Sequence, residues 1–219
     1  MQELDIPQWK APRTYHLPWT ESFTSDDKIL SNKVVEEHFM TQEDSYVTLK
    51  MDGENTTIGR GFSHARSLTS SHHWSREHIK RLEASLRPYI NPGWRICGEN
   101  VLATHSIKYT NLNAFFYVFA IYNEQNVRLS LDEMLEYCEY LGVEFVPILA
   151  RAPFKQLDFK SKFGLDYSKD EGYVVSNAAP FAYDDFSKNV AKCVRPNHVQ
   201  TDEHWTKLGS SNKNQLSGI

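Results

Sequence analysis

No run of about 18 apolar residues occurs in this sequence, so it offers no candidate for a membrane-spanning helix. The opening Met-Gln-Glu-Leu-Asp-Ile-Pro has neither the basic nor the apolar region of a secretory signal, which makes a cytoplasmic location the expectation. Cysteine is scarce. Cys97, Cys138 and Cys193 form no Cys-x-x-Cys pair and leave an odd thiol, a pattern that argues against a disulfide framework and suits small buried hydrophobes in a reducing compartment. Basic residues are not in excess either: the formal net charge is −4, so contact with nucleic acid has to come from a local patch. Repeats, low-complexity tracts and recognisable linkers are missing as well, and the chain reads as one domain.

With 219 residues, 40% of them hydrophobic and 13% aromatic, the chain has enough apolar surface to bury a full core. Tyr46–Met51, Asn55–Gly59 and Phe62–Arg66 read as successive strands joined by Asp-Gly and Arg-Gly turns. Asp52-Gly53 in particular predicts a hairpin whose two central residues need positive φ. A helix is predicted from Ser75 to about Leu86, with Ile79, Leu82 and Leu86 on one face and Pro88 ending it. Strands are expected at Trp94–Glu99 and Phe115–Tyr122. Ser130-Leu-Asp-Glu133 is a capping box, and the helix it opens carries Leu131, Met134, Leu135 and Cys138 on its apolar side and stops at Gly142. Phe145–Leu149, Gly172–Ser176 and Val190–Val194 are further strands. The expected fold class is α+β, mostly antiparallel sheets with flanking helices, over residues 1–208; the polar stretch 209–219 is expected to be a flexible tail.

Four charged residues sit where a strand would bury them: Lys50 in Lys-Met-Asp-Gly, Glu99 in Cys-Gly-Glu-Asn, Glu171 in Asp-Glu-Gly-Tyr-Val-Val and Lys192 in Val-Ala-Lys-Cys-Val. A lone charge there is costly unless it is paired or faces water, and each one taken singly is accounted for by pairing. Taken in order they say more. Lys50-x-Asp52-Gly53, Gly98-Glu99, the aromatic run Phe115–Phe119, Glu171-Gly172 and a final strand bearing Lys192 resemble the ordered motifs of the covalent nucleotidyltransferases, the polynucleotide ligases and mRNA capping enzymes. The resemblance covers Tyr46 to Arg195. His64-Ala-Arg-Ser-Leu68, Glu99-Asn-Val, Phe115-Phe-Tyr-Val-Phe119 and His198-Val-Gln-Thr-Asp-Glu-His-Trp205 narrow it to a resemblance to the ATP-dependent RNA ligase family.

That resemblance implies a nucleotidyltransferase (ATP-grasp-like) ligase catalytic domain and gives each residue a task. Lys50 is implied to attack the α-phosphate of ATP and form lysyl-AMP, for which its amine must be neutral; burial or a neighbouring cation would supply that form. Lys192 and a divalent ion, Mg2+ or Mn2+, are the implied cations. Asp52 and Glu171 are the implied carboxylates that hold the hydrated metal or orient the lysine, with contacts through water. Glu99 is implied to accept a hydrogen bond from a ribose hydroxyl, Phe119 to stack on adenine, and Arg66, with Arg60 as a neighbouring competitor, to contact phosphate. The last motif departs from the pattern. Many ligases of the group carry Lys-x-Lys there, whereas this run is Lys192-Cys-Val-Arg195, which makes Arg195 the candidate for the missing cation although it is one place along and so on the opposite face of a strand. Ala120 stands where relatives often have an acidic residue.

Only 24 residues follow Arg195, too few for the OB domain that many ligases append, so the expectation is a catalytic domain without a C-terminal OB domain, or one that borrows substrate grip from a partner protein. Lys10, Arg13, His16 and Trp19 ahead of the nucleophile are candidates for holding RNA. The expected function is the joining of RNA 3′-hydroxyl and 5′-phosphate ends, with ATP and RNA ends as partners and no membrane. Other readings stay open: a small DNA ligase, a GTP-using capping-type enzyme, a self-adenylylating RNA-end sensor, or a metal-binding module on His72, His73 and His78 or on His198, Asp202 and His204. Neither histidine set has a His-Glu-x-x-His spacing or a cysteine pair.

Overall fold

The computed structural model describes residues 8–21, 23, 27–69, 72–196 and 209–218, and in them the chain builds two sheets that face each other. The first has the order β1 (Tyr15–His16), β12 (Val190–Val194), β10 (Gly172–Asn177), β2 (Ser45–Leu49), β9 (Ile148–Ala152). The second has the order β11 (Phe181–Ala182), β7 (Val127–Arg128), β6 (Phe116–Tyr122), β5 (Arg95–Asn100), β3 (Glu54–Gly59), β4 (Phe62–Ala65), with β8 (Glu144–Phe145) also paired to β6. Among the described strands only β1 with β12 and β6 with β8 run parallel. The class is α+β with mostly antiparallel sheets.

Period-two alternation decides what each face of the first sheet does. Val47, Tyr173, Val175, Ala191 and Cys193 point into a core covered by Leu17, Phe39, Phe154 and Leu157. Their neighbours Tyr46, Thr48, Val174, Ser176 and Lys192 line a cavity on the opposite face. The second sheet packs its outer face, with Ile58, Ile96, Val118 and Ile121, under helices α2 (Glu77–Leu86) and α3 (Leu131–Leu141). Ile79 and Leu86 of α2 and Leu131, Met134 and Cys138 of α3 fill that core. Helix α3 opens on a complete Ser130–Glu133 capping box and closes at Gly142 with φ 65°. Helices α1 (Asn32–Val34) and α4 (Phe186–Asn189) are single turns beside the first sheet.

Three expectations need correction. Asp52-Gly53 is not a hairpin: β2 belongs to the first sheet and β3 to the second, so the segment carries the chain across. Gly53 lacks positive φ and is required for another reason, since a Cβ there would lie 2.5 Å from the Asn100 carbonyl oxygen. Arg60-Gly61 does close a two-residue hairpin, with Gly59 opposite Phe62. The single strand expected at Phe145–Leu149 is two strands in different sheets. Pro147 interrupts the ladder because it has no N–H; its carbonyl accepts from Leu49 N at 2.9 Å, and beyond it β9 pairs with β2. Finally, residues 209–218 do not form a loose tail. Asn214 is buried, its amide donates to the Val101 carbonyl at 2.8 Å, and its Oδ1 accepts from Thr104 Oγ1 at 2.9 Å and Tyr109 N at 2.8 Å. A polar composition conceals such a role, because the anchor is one buried side-chain amide, backed by bridges of Lys213 to Ala103 and Leu216 to Leu112, and its partners are backbone and side-chain groups of a loop distant in sequence.

Candidate active site

The cavity between the sheets has a volume of about 290 Å3. Lys50, Arg66, Glu99, Phe119 and Lys192, scattered over the sequence, all line it. Lys50 follows the last residue of β2 and is fixed by its N–H, which donates to the Gly172 carbonyl at 2.9 Å. Gly172 makes that approach possible: its φ is 148°, and a Cβ would sit 2.1 Å from the Cys193 carbonyl oxygen. The residue before it, Glu171, is thereby brought to Lys50, with Nζ 2.6 Å from Glu171 Oε2.

Phe119 reaches the cavity through a bulge. Cys97 pairs with Ala120 and Gly98 with Val118, which leaves Phe119 unpaired in the ladder. Adjacent strand residues normally face opposite sides, but the extra residue lets Phe119 and Ala120 line the cavity together. The phenyl ring so placed is half-buried at the cavity wall.

Charge in the site is unbalanced towards the negative. Burial pulls the Lys50 pKa down, but the charges of Glu171, Glu99 and Asp52 and the Glu171 hydrogen bond outweigh it and leave that pKa above the ordinary lysine value. The expectation of a neutral amine therefore does not hold in the ligand-free protein: its nearest partner is a carboxylate. Glu99 records the same crowding. Burial, helped by Glu171 and Asp52, pushes its carboxyl up to about 8 against the opposing pull of Lys50 and of the Gly53 N–H. Lys192 is lowered by burial and by Lys50, with Asp27 and Glu171 opposing; its Nζ lies 3.6 Å from Asp27 Oδ1. Three carboxylates thus act on one ammonium, and one of them holds its proton up to about pH 8; an excess of negative charge of this kind favours an added cation.

The remaining predicted residues are placed elsewhere. Asp52 does not line the cavity: its Oδ2 accepts from Ser106 N at 2.8 Å, Ser106 Oγ at 2.8 Å and Ile107 N at 2.6 Å, so that oxygen is spent on organising the 102–112 loop. Arg195 also lies outside the lining. Its N–H donates to the Glu171 carbonyl and its guanidinium to the Tyr167 carbonyl at 3.0 Å, as its position on the opposite strand face requires; Val194 occupies the place two beyond Lys192. Among the candidates for holding RNA, His16 is buried, with Nε2 3.2 Å from Asp27 Oδ1, so it faces the protein interior. Trp19 donates to the Tyr173 hydroxyl at 3.0 Å, the Tyr183 hydroxyl donates to the Lys10 carbonyl, and Arg13 lines the cavity. His72 pairs with Glu77, while His73 and His78 bond around Ser75; among the described residues no three side chains are grouped as metal ligands. The His198–Trp205 motif, with Asp202 and His204, lies outside the described residues.

Sequence reading missed the cavity's inner wall. Arg128 is fully buried there, donating to the Tyr46 hydroxyl at 2.7 Å, Ser176 Oγ at 3.1 Å and the carbonyls of Asn177 and Ala179. Asn55 Oδ1 and Tyr122 Oη also line it and have no hydrogen-bond partner among the described residues. A lone arginine inside Val127-Arg-Leu was the one available signal.

Residues 43–194 match the family model described as RNA ligase. No curated protein sequence matches. Among solved structures, an archaeal ATP-dependent RNA ligase superposes with a TM-score of 0.54 at 18% identity, over 75% of this chain and 45% of that one. Naegleria gruberi RNA ligase with PPi gives a TM-score of 0.54 at 18% identity, over 86% of this chain and 60% of that one. A substituted form of the Naegleria protein with ATP and Mn gives 0.52 at 18% identity, over 88% and 62%. The chain thus spans less than two thirds of the length of these ligases, and at such identity the likeness concerns the fold.

Proposed function

The chain belongs to the RNA ligase family, and from this we propose that it is an ATP-dependent RNA ligase that works through lysyl-AMP. The observation that carries the reading is the Lys50 Nζ to Glu171 Oε2 contact of 2.6 Å beside a cavity that Lys50, Glu99, Phe119, Arg66 and Lys192 line. Phe119 stacks on the adenine and Glu99 binds the ribose. Lys192 draws charge from the α-phosphate oxygens as Lys50 Nζ attacks phosphorus; the P–N bond forms, the bond to pyrophosphate breaks, and the ammonium proton is released before attack. The carboxylates that would hold a Mg2+ or Mn2+ ion, through its water, are Glu171 and Glu99, with Asp52 supplying field. A cation held there would add positive charge beside Glu99 and Lys50, which favours the ionised carboxyl and the neutral amine. The adenylate then passes to an RNA 5′-phosphate, and attack by a 3′-hydroxyl seals the strand. The domain assignment, 1–208 as one catalytic unit, goes with this proposal.

Incubation with α-labelled ATP and a divalent ion tests the reading: a covalent AMP adduct that is lost in Lys50→Ala is expected, and labelling at another lysine overturns it. A GMP adduct in its place would move the assignment to capping chemistry. One observation favours a second reading, a self-adenylylating RNA-end sensor, because Arg195 is turned to the Tyr167 carbonyl and Val194 stands in line with Lys192. Adduct formation without sealing of RNA is its signature.

A further inference from the structure

His64 and its neighbours build a second pocket that the adenylylation chemistry does not use. It lies between the β4 edge, residues 67–68 and the start of α2, and has a volume of about 260 Å3. His64, His72, His73, Arg76 and Lys80 line it with Ser67, and among the described residues no carboxylate does. The acids that position these cations stay outside: Glu54 holds Arg76, and Glu77 holds His72 and Lys80. In a chain of net charge −4 an acid-free basic pocket suits an anion, and the first turn of the ten-residue helix α2 adds its own partial positive charge.

His64 gives the pocket a second kind of selectivity. Its Nδ1 lies 2.7 Å from the Ala65 carbonyl oxygen, which can only accept, so Nδ1 carries the hydrogen. In the neutral ring Nε2 is then an acceptor, and it is buried with no hydrogen-bond partner among the described residues. Burial lowers the pKa of this ring, with the Arg95 charge adding to the effect and the Ala65 hydrogen bond opposing it, which keeps it neutral at neutral pH. The ring is held in place by stacking on Phe62, at 5.9 Å and 5°. A buried acceptor without a donor is costly, and a ligand hydroxyl satisfies it. Arg66 lines the nucleotide cavity while Ser67, the next residue, lines this pocket, so one loop serves both.

We propose that this pocket seats a ribonucleotide unit of the RNA strand, with a phosphate group at Arg76 and Lys80 and a ribose hydroxyl donating to His64 Nε2. The proposal rests on the RNA ligase reading for its substrate, and it assigns discrimination of RNA from DNA to a surface outside the nucleotide cavity.

The test is fluorescence anisotropy with a short 5′-phosphorylated RNA, its 5′-hydroxyl form and the matching DNA, on the full chain and on Lys80→Glu and His64→Phe. Lys80 is exposed, so its reversal leaves the fold intact, and phenylalanine keeps the stack on Phe62. Lys80→Glu is expected to weaken RNA binding by ~10-fold through loss of a phosphate contact, with the rate of AMP adduct formation in the absence of RNA unchanged. His64→Phe is expected to narrow the preference for RNA over DNA. With a terminal phosphate in the pocket, the Lys80→Glu defect vanishes on the 5′-hydroxyl strand; with an internal phosphodiester it persists. Unaltered RNA affinity in Lys80→Glu, or an unaltered preference in His64→Phe, overturns the proposal, as does slower adduct formation with RNA binding intact, which would give the pocket to ATP. Failure of every protein to form an adduct sinks the ligase reading instead, and the binding data still decide this one.

Discussion

Lys50 is held as a cation because Glu171, Glu99 and Asp52 together exceed the cost of its burial. Removing the closest of these charges lowers its pKa. In Glu171→Gln, labelling of Lys50 by an amine-reactive reagent, read by mass spectrometry in the ligand-free protein, is therefore expected to begin at lower pH than in the wild type; an unmoved profile would show that Glu171 does not set the proton affinity. Glu99 behaves in the opposite sense. Its folded pKa of about 8 exceeds the ordinary 4.5, so between those values the unfolded chain gives up a proton that the folded one keeps. Stability contributed by the neutral carboxyl is fully present below the lower value and is lost as pH rises through the higher. The Tm of the ligand-free protein is expected to fall over that interval, and Glu99→Gln, neutral throughout, to remove this part of the slope.

The bulge in β6 is what turns Phe119 into the cavity, and Phe119→Ala keeps the bulge while deleting the ring. Loss of a stacking partner worth about 0.5–1.5 kcal/mol is expected to raise the KM for ATP up to ~10-fold with a smaller effect on the maximal adduct rate; equal loss in both would place Phe119 in the chemistry. The strands themselves were legible in the sequence, as was α3 with its capping box, because period and caps are local properties. Tyr46, Gly98 and Val190 each fall in a predicted strand. What stayed hidden was the partner of each strand. Asp52-Gly53 and Pro147 both move the chain from one sheet to the other, and nothing in either neighbourhood distinguishes a crossing from a turn. Motif order brought Lys50, Glu171, Glu99 and Lys192 to notice together, but the occupancy of Asp52 by Ser106 and Ile107 depends on a loop some fifty residues away, and the two-residue strands β1, β7, β8 and β11 are too short to carry a pattern.

Arg128 joins the two sheets, since it lies on β7 of the second and donates to Tyr46 and Ser176 on β2 and β10 of the first. Arg128→Met removes the donor shared by the Tyr46 hydroxyl, Ser176 Oγ and the Asn177 and Ala179 carbonyls at the back of the cavity, and leaves Ser176 Oγ and the Asn177 carbonyl, among the described residues, only their own 3.4 Å contact. A loss of about 1.5–3 kcal/mol in urea unfolding is expected for one such charged hydrogen-bond partner, and a value within 0.5 kcal/mol of zero, roughly the range of a surface change, would mean that the sheets hold together by other contacts. Asn214 makes a longer connection. It braces Val101, Thr104 and Tyr109; the Tyr109 hydroxyl accepts from the Asp52 N–H at 2.9 Å, and Asp52 lies two residues from Lys50. Polypeptides are polymerised from the amino end, and Asn214 is added after all twelve described strands. While the ribosome is still working towards it, the segment bearing Lys50 has already emerged without its brace. On the ligase reading, Lys50 is thus made long before the residue that steadies the segment beside it, and its surroundings are completed only once Asn214 has been added.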